Sequence, residues 1–173
     1  NLSLAKKLIL AAKKSGADAV KFQNFTAEKL VTKNAKKAPY QEKNTKNNKP
    51  QFDMLKKLEF KKDYYYELLK FCKSKKIKFL SSVFDGESID FLKSELKINT
   101  IKVPSGEITN PLILDRLNLE HYYIILSTGM SSIKEIVNAI NIISKKVVYK
   151  IVNKKIIINN KKEFNIIKKK LIV

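Results

Sequence analysis

Ten residues, "IKVPSGEITN" (101 to 110), set a lysine inside an apolar strand-like run and follow it with a serine and a glutamate at a turn. An ammonium group placed between Ile101 and Val103 is costly to desolvate unless an anion meets it. A second stretch, "AVKFQ", repeats the arrangement, with Lys21 between Val20 and Phe22 and Gln23 after them. Polar residues recur where other apolar runs stop: Ser81 and Ser82 in "IKFLSS", Ser105 and Glu107 after "TIKV", Ser127 and Thr128 after "YYIIL". Two lysines in one confined cavity repel each other unless a phosphate or carboxylate sits between them. Anion binding is therefore the chemistry these residue types suggest.

The elements that carry them alternate. Helices are expected over 2 to 15, ended by Gly16, over Asp63 to Lys75 with Tyr65, Leu68, Leu69 and Cys72 as its apolar stripe, and over 86–95, 110–118 and 131–143. Strands are expected at 18–23, 77–82, 100–105 and 122–128, with 146–152 as a fifth. Between the first strand and the Asp63 helix lies a polar interval with short helical segments at Ala27 to Val31 and Gln51 to Leu58. "KNTKNNKP" is its flexible loop.

Strand and helix in alternation mean parallel β/α units with right-handed crossovers. The open doubly wound sheet and the closed barrel both fit that rhythm. The polar strand ends favour the barrel, which gathers such ends around one mouth. No GxGxxG or GxxxxGK[ST] follows a strand, which removes the usual support for nucleotide binding. Period-two alternation turns Val20, Phe22, Ile101 and Val103 toward helices and Lys21, Gln23 and Lys102 toward the interior.

Composition bounds the rest. The chain has 173 residues, 44% of them hydrophobic, enough for one domain with its own core. No apolar run reaches bilayer length and no signal-peptide order opens the chain, so a soluble cytoplasmic protein is expected, with no membrane partner. Cys72, the single cysteine, reads as a core residue, and His121 as a surface residue. A net charge of +20 suggests nucleic acid, yet all but one of the basic residues are lysines, Arg116 being the exception, and they are dispersed along the chain. Base and bidentate phosphate recognition favour arginine, so no specific nucleic-acid partner is expected. A non-enzymatic basic nucleic-acid binder stays as the alternative.

The blocks "AKKLILAAKKSGADAVKFQ", "APYQEKNT", "QFDMLKKLEF", "FLSSVFDGESIDFL", "KVPSGEITNPLIL" and "IILSTGMSSIKEI" resemble, in order, the sialic acid synthase family, in its neuraminate and legionaminate branch. The resemblance implies a TIM barrel that condenses phosphoenolpyruvate with an N-acetylmannosamine-type sugar, releasing phosphate and forming a nine-carbon acid. It implies that Lys21 and Lys102 hold the anionic groups, that Ser82, Ser105 and Ser127 donate to them, and that Glu107 handles a proton or steadies the C2 cation. Gln23 would face the sugar, with Tyr40 and Gln41 covering it. The family also employs a divalent metal, manganese or magnesium, and forms homodimers.

Against that pattern, the family's first strand with its NHNG-like segment has no counterpart before Asn1. The HCxSxYP-like segment and the metal-binding histidines have none after residue 144. From Lys145 onward ten lysines face one acid, Glu163. The expectation is a partial barrel of four to five β/α units over 1–144, inactive alone, followed by a divergent or frameshifted tail over 145–173. A truncated gene's non-functional product is the remaining alternative.

Overall fold

The computed structural model describes residues 1–153 and 155–173. Four strands, β1 (Ala19–Asn24), β2 (Lys78–Val83), β3 (Thr100–Val103) and β4 (Tyr123–Leu126), lie parallel in that order. The hairpin strands β5 (Tyr149–Val152) and β6 (Lys155–Ile158) form a separate antiparallel pair. The fifth strand of the sheet is β7 (Leu171–Ile172), which pairs parallel with β4.

The expected fifth strand at 146–152 is thus corrected. Its apolar residues are answered by an equal run, "KIII", across a turn in which Asn153 takes a left-handed backbone. The local antiparallel partner wins over the distant parallel one because closing a short loop loses little chain entropy.

Around the sheet run α1 (Leu2–Lys14), α2 (Ala27–Leu30), α3 (Pro39–Thr45), α4 (Gln51–Leu58), α5 (Lys62–Ser74), α6 (Gly86–Asp90), α7 (Pro111–Leu114), α8 (Ile133–Ile143) and α9 (Lys161–Lys170). A wider π turn, Phe91–Glu95, continues α6. The stripe foreseen on α5 is buried: Tyr65, Leu68 and Cys72 join Ala5 and Ile9 of α1 in the core. Burial pushes the Cys72 thiol up to about 11, which makes it an inert apolar filler. The helix expected over 110–118 shortens to α7 and then tightens, Arg116 N–H donating to Ile113 O and Leu117 N–H to Leu114 O.

Two more differences concern the polar interval. "APYQEKNT" forms α3, and "KNTKNNKP" is tied down by Lys37, which is buried. Its ammonium donates to Thr45 Oγ1 at 2.9 Å, to the Asn47 carbonyl at 2.9 Å and to Asn47 Oδ1 at 2.7 Å. Three acceptors compensate one buried cation, so a loop with the composition of a flexible linker is held in place.

The sheet separates its faces by parity. Phe79, Val83, Ile101, Val103, Ile124 and Leu126 are all buried against helices. Lys21, Gln23, Leu80, Lys102 and Ile125 look the other way and stay partly or wholly open, whereas Ser82 on the same face is buried. Residues 145–173 contribute β7 to the sheet and Val148, Ile167 and Leu171 to the core. Among the described residues no helix is long and apolar enough to cross a membrane.

Candidate active site at the strand ends

Register places the chemistry. Gln23 pairs with Ser82, Ser82 with Lys102, and Lys102 with Ile125, so one row crosses four strands near their C-terminal ends. Lys21, paired with Leu80, lies two residues back on the same face. The first three polar members of this set come from three separate strands, and only a parallel sheet in this register brings them together.

Lys102 is half-buried. Burial first, and the Lys21 ammonium second, push its pKa below the ordinary lysine value. No acid acts in the opposite direction. Among the described residues neither Lys21 nor Lys102 forms a salt bridge, although eight other pairs exist. Asp85 caps α6, its carboxylate accepting from Ser88 N–H at 2.8 Å and Ser88 Oγ at 3.0 Å.

Past β3 the chain turns through a 3-10 segment, Ser105–Glu107. Glu107 is half-buried, and its Oε2 accepts from Asn110 Nδ2 at 2.8 Å. Asn110 caps α7, its Oδ1 accepting from Leu112 N–H at 3.1 Å. Ser105 meets the loop after β4: a Cβ added to Gly129 would fall 2.8 Å from Ser105 Cβ and 2.9 Å from its Oγ. Gly129 is also left-handed, at φ +52°. Ser127 continues β4 by donating its N–H to the Val103 carbonyl at 3.1 Å. Ser132, rather than Ser127 or Thr128, caps α8, in a reciprocal box with Glu135.

Gln23 is held from behind. The buried Tyr65 hydroxyl donates to the Gln23 carbonyl at 2.8 Å. Burial chiefly, with the Glu59 and Asp85 carboxylates, raises the Tyr65 pKa, so it stays a neutral donor.

Tyr40 and Gln41 belong to α3 and are not members of the strand row itself. Tyr40 is exposed on α3, and Gln41 Oε1 accepts from Ala38 N–H at 2.9 Å and Gln51 Nε2 at 3.1 Å, which commits it to its own loop. His121 is exposed ahead of β4, at the far end of the strands. The residues sequence reasoning missed are Asn110, Gly129 and Tyr65. Asn110 had a signal, since Asn followed by Pro is a helix start; Tyr65 had none beyond its place in the apolar stripe.

A cavity of about 1090 Å³ opens elsewhere, at the N-terminal ends of the strands, lined by Leu69, Ile77, Ile98 and Ile124 among others. It contains none of Lys21, Gln23, Ser82, Lys102 or Glu107. Convergent functional groups, not volume, single out the strand ends.

The C-terminal ends of this parallel sheet and the turns after them thus carry two lysines without a salt bridge among the described residues, three serines and a carboxylate, the end of a β/α domain at which barrel sites lie. The chain belongs to the NeuB family, whose model matches residues 8–160. It is 48% identical to the N,N'-diacetyllegionaminic acid synthase of Campylobacter jejuni subsp. jejuni over 84% of this chain and 43% of the relative. To the enzyme of the same name from Legionella pneumophila it is 46% identical, over 82% and 39%. The sialic acid synthetase of Leptospira borgpetersenii, solved in complex with citrate, superposes with a TM-score of 0.67 at 28% identity over 83% of this chain and 45% of that one. The chain thus spans less than half the length of these relatives.

A divalent metal is implied by this family. Among the described residues no three His, Cys, Asp or Glu side chains converge to hold one, and the one histidine stands at the wrong end of the strands. The donor set does not fit a resident metal, and no step below passes through one.

Proposed function

We propose that the strand-end face binds phosphoenolpyruvate and forms part of the site of a synthase that joins it to an N-acetylmannosamine-type sugar, the sheet being a segment of a (β/α)8 barrel. The observation that carries the reading is the Lys21 and Lys102 pair: two ammonium groups on one face, each without an acid, one of them depressed by burial and by the other. Phosphoenolpyruvate carries a phosphate and a carboxylate on one small frame, which suits two cations set apart along a face.

In this reading Lys21 and Lys102 take the two anionic groups, and Ser82, Ser105 and Ser127 donate hydrogen bonds to them. Fixed donors of this kind act where charge changes in the transition state. C3 of the enol attacks the sugar aldehyde carbon, whose oxygen takes up a proton from solvent; C2 becomes cationic, water adds to C2 and gives up a proton, and the C2–O bond to phosphate breaks as the new hydroxyl loses its proton, leaving the 2-keto acid and phosphate. Glu107, beside the reacting carbons, steadies the C2 cation and takes the proton of the incoming water. Gln23 faces the sugar, its backbone fixed by Tyr65.

The poor fit of the donor set to a metal leads us to propose that the chain binds phosphoenolpyruvate without turning it over alone. Calorimetric titration with phosphoenolpyruvate is expected to show binding that Lys102→Ala weakens by tenfold or more. No binding by the unaltered chain would overturn the site. Phosphate release above blank with N-acetylmannosamine and manganese, lost on Lys102→Ala, would overturn the proposed lack of turnover.

A further inference from the structure

We propose that the β5–β6 hairpin docks on an anionic membrane surface, its exposed isoleucines entering the bilayer interface while the lysines around them hold lipid headgroups. The strand-end site plays no part in this.

Register divides the hairpin into two faces. Opposed residues of an antiparallel pair lie on the same side, so Tyr149 with Ile158 and Ile151 with Ile156 make one face, and Lys150 with Ile157 and Val152 with Lys155 the other. The first face is wholly apolar. At its base Tyr149 is half-buried, its ring edge-on to Phe164 of α9 with centroids 6.2 Å apart. Past that contact the burial stops: Ile151, Val152, Ile156, Ile157 and Ile158 are each 41–50% exposed, and none joins the core. Five branched side chains left in water on one hairpin form a contiguous patch, and such a patch marks a contact surface.

Charge decides the occupant. Residues 145–173 hold ten lysines against Glu163, and that acid is already paired with Lys146. Lys150 and Lys155 stand among the isoleucines, and Lys161 and Lys162 open α9 just after the hairpin; all four are exposed. Among the described residues none of the four forms a salt bridge. A second copy of the chain would bring the same cations, and a formal charge of +20, against them. Nucleic acid would engage the lysines and leave the isoleucines in water. An anionic bilayer satisfies both. Its surface potential attracts each nearby lysine, worth about fivefold in affinity apiece, and its interface accepts the apolar side chains. Lysine suits the border between them, since its stem lies along apolar surface while its ammonium reaches outward. That no described helix is long and apolar enough to cross a membrane does not bear on a hairpin lying in the interface, so the sequence-based expectation of no membrane partner covers only spanning segments.

The test is flotation of the chain with vesicles of phosphatidylcholine alone and of phosphatidylcholine with about 30% phosphatidylserine, near physiological salt. Binding to the mixed vesicles is expected to be at least about tenfold tighter than to the neutral ones. Ile151→Thr with Ile156→Thr keeps every charge and the branching that suits a strand. This chain is expected to melt like the unaltered one, to bind mixed vesicles at least about tenfold more weakly, and to bind duplex DNA unchanged. Should it fold poorly, hydrogen exchange on the unaltered chain decides, mixed vesicles slowing exchange in the hairpin peptide. The proposal is overturned if the unaltered chain shows no preference for the mixed vesicles, or if the threonine pair leaves lipid binding unchanged, which would make it a matter of charge alone. It is overturned equally if DNA binding falls as far as lipid binding, if exchange in the hairpin is not slowed, or if sedimentation without lipid shows an oligomer that the threonine pair dissolves.

Discussion

The Tyr65 hydroxyl, buried on α5, donates to the Gln23 carbonyl at the end of β1 across 2.8 Å. A helix thereby fixes the backbone from which one member of the strand-end row projects. Tyr65→Phe keeps the ring and its packing against Phe60 and Phe91 and deletes only the donor. The expected loss is about 1 kcal/mol, a fall of roughly 2–4 °C in the thermal midpoint, read by calorimetry.

Lys102 carries a pH signature. Its pKa is lower in the fold than in the unfolded chain, so between the depressed value and 10.5 the unfolded state binds more protons. The destabilisation it causes is complete below that window and is relieved as pH rises through it. Lys102→Met is expected to be more stable than the unaltered chain near neutrality, with the gap closing as alkali is added. Chemical denaturation at stepped pH reads this directly.

The same group should govern anion affinity. Phosphoenolpyruvate favours the ammonium form, so binding is expected to take up protons and to weaken as pH climbs toward 10.5. Lys102→Ala at neutral pH should weaken binding about tenfold to a hundredfold, the scale of one or two lost charge-assisted hydrogen bonds. Calorimetry in two buffers of different ionisation enthalpy measures both effects.

Gly129 leaves no room for a side chain. A Cβ there meets Ser105 at 2.8 Å, and the backbone is left-handed besides. Gly129→Ala is expected to cost about 1–3 kcal/mol and to displace Ser105, so stability and phosphoenolpyruvate affinity should fall together. Thermal melts with and without ligand check the pairing.

Lysines occupy left-handed positions that glycine usually fills. Lys76 follows α5, where Ile77 N–H reaches back to Cys72 O and Lys76 N–H to Lys73 O, and Lys145 closes α8 in the same pattern. Gly16 does so at the end of α1. Lys76→Gly should therefore stabilise the chain by roughly 0.5–1 kcal/mol, seen as a higher thermal midpoint.

The sheet was legible where two independent patterns agreed. Ile101, Lys102 and Val103 alternate too regularly to be anything but a strand with one polar face, and "PSGE" and "STG" mark where the neighbouring strands stop. The α5 stripe, Cys72 in the core and exposed His121 were readable for the same reason: local spacing decides them. Long-range partners were not. Lys37 looks like any other lysine until Thr45 and Asn47 close around it. The exchange of β5 for β7 in the sheet depended on β5 having a partner, β6, close at hand in sequence. Asn110 could be seen as a helix start, but its hold on Glu107 needs the turn between them.

The sheet ends on both sides in a strand with an unmatched flank, β1 at one margin and β7 at the other. Such margins recruit a second molecule through its backbone amides. What opposes this is mutual repulsion, because every copy carries a formal charge of +20. Association between copies is thus expected to depend on the ionic medium. Moving from physiological salt to about 1 M shortens the reach of those charges from about 8 Å to about 3 Å, and clustering of copies should rise with it.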